Sequence, residues 1–208
     1  MAVIHQAELR PSKAEALAAW LPSRSWSGVR AGDDLVIAGK FRFDDPAGEV
    51  GVETILVRRP DGRVLQAPLT YRGAPLDGAE DFLVTEMDHS VLGRRWVYDA
   101  VGDPVYADVI RRAIATGAHE ATLERADGAG TWDAEGSASG TGSASDSPTI
   151  TAVAVRQDGR VTLVDTAHGT LEVLRVLDPE GPATASSDDR LVGAWGDGER
   201  AVLVALRH

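Results

Sequence analysis

The sequence predicts an α+β protein: a curved antiparallel sheet with two packed helices, followed by a β-rich C-terminal segment. Three observations predict it. Apolar residues recur with period two from Leu35 to Phe43 and in the runs that follow. Two short stretches instead carry a helical stripe with its own start signal. Compact turn motifs separate successive strands, so the sheet is most simply antiparallel.

The first helix is predicted at about 13–21. Ser12-Lys13-Ala14-Glu15 reads as a capping box, Leu17, Trp20 and Leu21 share one face, and Pro22 stops the run. Leu35, Ile37, Gly39, Phe41 and Phe43 then read as one strand face. Asp44 to Gly48 is a turn, Val50 to Arg59 a second strand, and Pro60-Asp61-Gly62 a hairpin turn into Val64 to Tyr71. Phe82 to Met87 is a fourth strand. The second helix starts with Asp103 as N-cap and Pro104 in the first turn, where a missing N–H costs nothing. Tyr106, Val109, Ile110, Ala113 and Ile114 form its buried stripe and Gly117 its C-terminal cap.

Asp127 to Pro148 is rich in Gly, Ser and Ala. It is expected to be a flexible linker or loop, mobile and dispensable for folding. Trp132 inside it is either a chance exposed residue or a docking point. Up to five strands follow: Ile150 to Val155, Val161 to Val164, Thr170 to Leu177, Leu191 to Trp195 and Ala201 to Leu206. The pattern leaves open whether the two β regions form one sheet or two. The expected organisation is therefore 1–126, 127–148 and 149–208.

Composition excludes several functions. A chain of 208 residues buries roughly 70% of its unfolded surface and needs no disulfide or metal to be stable. It has no cysteine, which removes thiol nucleophiles, zinc thiolates and disulfides and fits a reducing cytoplasm. The first residues lack the charged and apolar regions of a signal peptide, and no apolar run reaches membrane-spanning length. A net charge of -11 argues against nucleic acid, because phosphate binding needs clustered cations. No cofactor or metal is expected, since the five histidines show no metal-ligand spacing.

Asp88-His89-Ser90 holds the residue types of a hydrolase triad, but neighbours on a strand point to opposite faces, which favours a turn or strand-end role. Gly136 to Gly142 imitates a phosphate loop without its lysine or following helix. Asp44-Asp45, Asp77, Glu80-Asp81 and Asp188-Asp189 read as solvated turns. The stretch from Leu69 to Tyr106 is the most informative. Arg72, Arg94, Arg95, Trp96 and Tyr98 form the candidate binding surface, because arginine pairs with carboxylate or phosphate and stacks on rings. The plainer reading, favoured in so acidic a chain, is an internal Arg–Asp pair with Asp99 or Asp103.

Trp20-Leu21-Pro22 with Trp26, the run Phe41-Arg42-Phe43-Asp44-Asp45-Pro46-Ala47-Gly48, Leu69 to Leu76, and Trp96 to Pro104 together resemble the N-terminal cap domain of actinobacterial maltokinases. More closely, they resemble stand-alone actinobacterial proteins built around such a cap. The resemblance covers about Pro11 to Ala126. Beyond the linker, Leu171 to Gly181 looks like the kinase N-lobe strand that carries the nucleotide-anchoring lysine, with Glu172 at the lysine position. No catalytic loop or magnesium aspartate of kinase type follows. The resemblance implies a cytoplasmic, non-catalytic cap-like module, with at most a remnant of a kinase N-lobe. It would bind or regulate a protein partner in trehalose, maltose or α-glucan metabolism. A sugar-binding protein or enzyme with its own pocket is the alternative, and a homo-oligomerising structural unit a third reading.

Overall fold

The computed structural model describes residues 2–4, 8–125, 130–131, 135–178 and 189–208. His5, Trp132 and Asp188 lie outside the described residues. The N-terminal part contains β1 (Ala2–Ile4), β2 (Leu9–Arg10), α1 (Lys13–Trp20), β3 (Val36–Phe43), β4 (Gly51–Arg58) and β5 (Val64–Arg72). Next come β6 (Leu83–His89), β7 (Gly93–Asp99), α2 (Pro104–Thr116), β8 (Leu123–Arg125) and β9 (Gly136–Gly140). The remaining strands are β10 (Ala154–Asp158), β11 (Val161–Thr166), β12 (Gly169–Leu174), β13 (Val176–Leu177), β14 (Arg190–Trp195) and β15 (Glu199–Arg207).

Among the described residues these strands make two large antiparallel sheets and one parallel pair, β1 with β8. The first sheet runs β2-β6-β7-β5-β4-β3, and β13 adds to β5. The second runs β10-β11-β12-β15-β14-β9. The α+β reading and both helices hold. Ser12 and Glu15 close the expected capping box at 3.3 and 2.8 Å, and Gly117 caps α2 in the left-handed region at φ 70°.

Two cores explain the layers. Helix α1 places Ala16, Leu17 and Trp20 on one face of the first sheet, against Ile55, Val57, Leu65, Leu69 and Val97. The other face meets α2 and the second sheet: Phe41, Phe43, Val52 and Leu56 pack with Tyr106, Ile110 and Ile114 and with Leu171, Val173, Leu191 and Leu203. Strand β4, next to the edge strand β3, therefore feeds both cores with alternate residues and is buried along both faces.

Three features differ from the sequence reading. A bulge between Ile37 and Gly39 pairs Ile37 with Val57 but Gly39 with Leu56. Leu35 and Ile37 therefore lie on the α1 side, while Phe41 and Phe43 fill the inter-sheet core; the expected single face is split. The strand expected over Thr170 to Leu177 breaks at Arg175, where the chain leaves the second sheet and pairs Val176 and Leu177 with β5 of the first. Pro68 sits inside β5 without penalty. Gln66 donates to the Arg175 carbonyl, but β13 pairs only with Val64 and Leu65, and β7 ends at Asp99, opposite Leu69. The position of the missing proline N–H thus faces a gap between two neighbours.

The third difference is the Gly/Ser/Ala-rich stretch. Gly136 to Gly140 is an edge strand paired with β14, not linker. Gly140 and Gly142 lie directly on the end of α2: a Cβ on Gly140 would come within 1.9 Å of the Ala113 carbonyl, and one on Gly142 within 2.2 Å of the Ala115 carbonyl. The N–H groups of Gly142 and Ala144 donate to the carbonyls of Ile114 and Ala115. They satisfy orphan acceptors of the helix C-terminus. Farther on, the Arg111 guanidinium donates to the buried Ser147 hydroxyl at 2.5 Å.

Gly140→Ala is expected to cost at least about 1–3 kcal/mol, because only backbone surrounds the new methyl. Deleting Gly136 to Ser147 should abolish the cooperative melt. Urea denaturation and thermal melting check both, and a deletion variant that melts like the parent would restore the linker reading.

Candidate functional site

The candidate binding surface is built on β5, β7 and the strand between β7 and the sheet edge. Arg72 lies opposite Trp96, and Val97 opposite Tyr71. Arg95 lies opposite Met87, and Trp96 opposite Glu86. Alternation then divides the five residues. Arg94, Trp96, Tyr98 and Arg72 occupy one face, whereas Arg95 occupies the other, beside Val97 and Met87 of the α1 core.

On the first face most polar groups are engaged. Arg72 forms a two-pronged pair with Asp103 at 2.7 Å on each side. The hydrogen bonds to Asp103 raise the Arg72 pKa, against the effect of burial. Asp103 is fully buried and at the same time caps α2 through the Val105 N–H at 3.0 Å. The pair therefore ties β5 to the start of α2. Tyr98 is buried, and its hydroxyl accepts from the Leu76 N–H at 2.9 Å. Trp96 is half-buried, and the Arg94 guanidinium stands 5.8 Å from its ring centre while pairing with Glu86 at 2.5 Å. The Arg94 side chain stays 62% exposed, so this contact is a surface one.

The other candidates do not converge. The Ser90 hydroxyl accepts from the Glu8 N–H, and His89 Nδ1 accepts from Val91 and Leu92 at the hairpin turn. Asp45 accepts from the Ala47, Glu49 and Val50 N–H groups, a turn role. Among the described residues no three His, Asp or Glu side chains gather as metal ligands. No helix among them is long and apolar enough to cross a membrane.

Among the described residues, open clefts flank the fold on two sides. One of about 730 Å³ runs between α1 and β6, past Leu9, Pro11, Ala16, Ala19 and Val84. One of about 360 Å³ lies between Phe43, Pro46, Val109, Arg112, His119 and Glu120. None of the five candidate residues lines either cleft.

Two charged clusters escape the sequence reading. Glu53 is 3% exposed and takes both hydrogen bonds of Lys13, at 2.7 and 2.8 Å, and the Tyr71 hydroxyl at 2.7 Å. Burial opposes its ionisation, yet the charges of Lys13 and Arg42 and these bonds hold its pKa below the usual range. Burial, with the Glu53 charge beside it, pushes Tyr71 well up. The signal was a lone glutamate inside the apolar run Gly51-Val52-Glu53-Thr54-Ile55, and one of only two lysines at the start of a helix, where a cation is disfavoured. The second cluster centres on Arg175, 1% exposed. It donates to Asp99 and to the Thr162 hydroxyl at 2.7 Å each and lies 4.8 Å from the Trp26 ring centre. Glu172 is buried at 6% and paired with Arg207.

Asp103→Ala is expected to lower the unfolding free energy by about 3 kcal/mol or more, since it removes a helix cap and leaves Arg72 unpaired. Trp96→Ala should cost less than about 2 kcal/mol, because the ring is only half-buried. Denaturant titration of the two variants checks this order, and the reverse order would place the tryptophan at the centre of the packing.

No curated protein matches the chain. From Trp20 to Asp103 the chain matches the family model of the maltokinase N-terminal cap domain, a stretch that holds β3 to β7 and leaves α2 and the second sheet outside, and it is consistent with a maltokinase N-terminal cap-like protein.

Proposed function

We propose that the chain is a non-catalytic cap-like module that binds or regulates a protein partner in trehalose, maltose or α-glucan metabolism. The observation that carries this reading is the cap-domain match over residues 20–103, the part that forms most of the first sheet. The site chemistry supports it. Arg72 and Arg175, which hold charge deep in the fold, are both bound to structural carboxylates. At the position where the resemblance to a kinase N-lobe calls for a nucleotide-anchoring lysine, Glu172 stands and pairs with Arg207. A carboxylate there repels ATP phosphates instead of pairing with them.

Affinity capture from the native host followed by mass spectrometry tests the reading, with recovery of a carbohydrate kinase, synthase or glucan-processing enzyme as the expected result. In parallel, calorimetry with Mg-ATP and a coupled ADP-release assay with maltose should show neither binding nor turnover. Saturable ATP binding with turnover would sink the non-catalytic reading.

A further inference from the structure

The α1-side face of the first sheet carries a cationic cluster that the fold does not neutralise. Arg42 lies opposite Glu53 on β3 and β4, Gly51 opposite Tyr71, and Gly73 follows Tyr71 by two positions on the same face. Both glycines make room for a guanidinium. A Cβ on Gly51 would stand 2.7 Å from Arg42 Nη2, and a Cβ on Gly73 would stand 2.8 Å from Arg95 Nη1. Lys13 completes the cluster, 5.4 Å above the Tyr71 ring. Lys13 and Arg42 thus flank one carboxylate, Glu53, Lys13 already holds both of its oxygens, and Arg95 extends the cationic face past Gly73.

This is unusual for a chain of net charge -11, whose arginines elsewhere mostly meet carboxylates, as Arg58, Arg72 and Arg112 do. The Arg95 side chain makes no hydrogen bond or ion pair with any described residue, and it is half-buried. Arg42 keeps its Nε buried without a partner and meets Glu53 only through the field of its charge. Burying guanidinium groups this way costs free energy unless an anion completes them.

The two glycines against which the guanidiniums rest lie close enough for one small anion to meet both. Gly51 and Gly73 are separated by one diagonal of an antiparallel ladder, about 7–8 Å. A single tetrahedral oxyanion bridges such a span, accepting a charge-assisted hydrogen bond from a guanidinium on each side. A phosphoryl group offers three strong acceptor oxygens that point apart, one more than a carboxylate. We propose that Arg42 and Arg95, with Lys13 beside them, bind the phosphoryl group of a small phosphate monoester on this face. The site is independent of the partner-binding role proposed above, and its test reads ligand binding alone.

Calorimetry with inorganic phosphate and with glycerol 1-phosphate is the direct experiment, beside citrate as a carboxylate control. Saturable heat is expected with both phosphates and not with citrate, strengthening as pH rises through the second phosphate pKa near 6. Arg95→Gln should weaken binding about tenfold while leaving the melting temperature unchanged. Gly73→Ala should also weaken it, because the new methyl displaces the Arg95 head without removing any charge. If Arg42→Gln fails to fold, these two variants still decide the question. No saturable heat with either phosphate, equal binding in Arg95→Gln, or citrate bound as tightly as phosphate would overturn the assignment.

Discussion

Everything else in the structure depends on how Arg175 is held. The residue lies where the chain passes from the second sheet into the first, and it is almost wholly removed from water. Its backbone N–H donates to the Arg160 carbonyl and its own carbonyl accepts from Gln66, so the main chain bridges β11's turn and β5. Its side chain reaches Asp99 at the end of β7, Thr162 on β11 and the face of Trp26. A guanidinium without such partners could not stay buried. With them, it fixes the end of β7, the start of the segment leading to α2 and strand β11 of the second sheet at one point. Burial keeps the nearby Tyr106 hydroxyl protonated far above neutral pH.

This joint explains why the chain does not divide at its compositional seam. Apolar side chains from β3, β4 and α2 share one core with those of β11, β12, β14 and β15. Arg58 reaches Glu199, and the Gln66 side-chain amide donates to the Leu203 carbonyl, both across the same boundary. The cap-like stretch is therefore one wall of a larger packed unit. Its α1-facing side is the side on which Arg42, Arg95 and Lys13 gather.

The elements legible in the sequence were those specified locally. The capping box at Ser12, the Asp103-Pro104 start and Gly117 end of α2, and the hairpin at Asp61-Gly62 depend on neighbours within a few residues. What was not legible depends on distant partners. Gly140 and Gly142 look like linker residues because composition records only that side chains are small. Their smallness is required by the backbone of α2, over twenty residues earlier. The bulge at Ala38 shifts Ile37 away from Phe41 without leaving a mark on the apolar pattern. Arg95 and Trp96 look like a joint surface in sequence, yet strand alternation places them on opposite faces. Trp96 and Tyr98 stand out in the sequence as aromatics, while Glu53 and Lys13, forty residues apart, meet only because α1 folds over β4.

The most direct measurement is a double-mutant cycle on the joint: Asp99→Leu, Arg175→Met and both together, followed by urea unfolding. Each single change is expected to cost about 3–5 kcal/mol, because each strands a buried charge, and the double change to cost clearly less than the sum. Single changes costing under about 1 kcal/mol, or strictly additive costs, would show that the two sheets are held together without this pair.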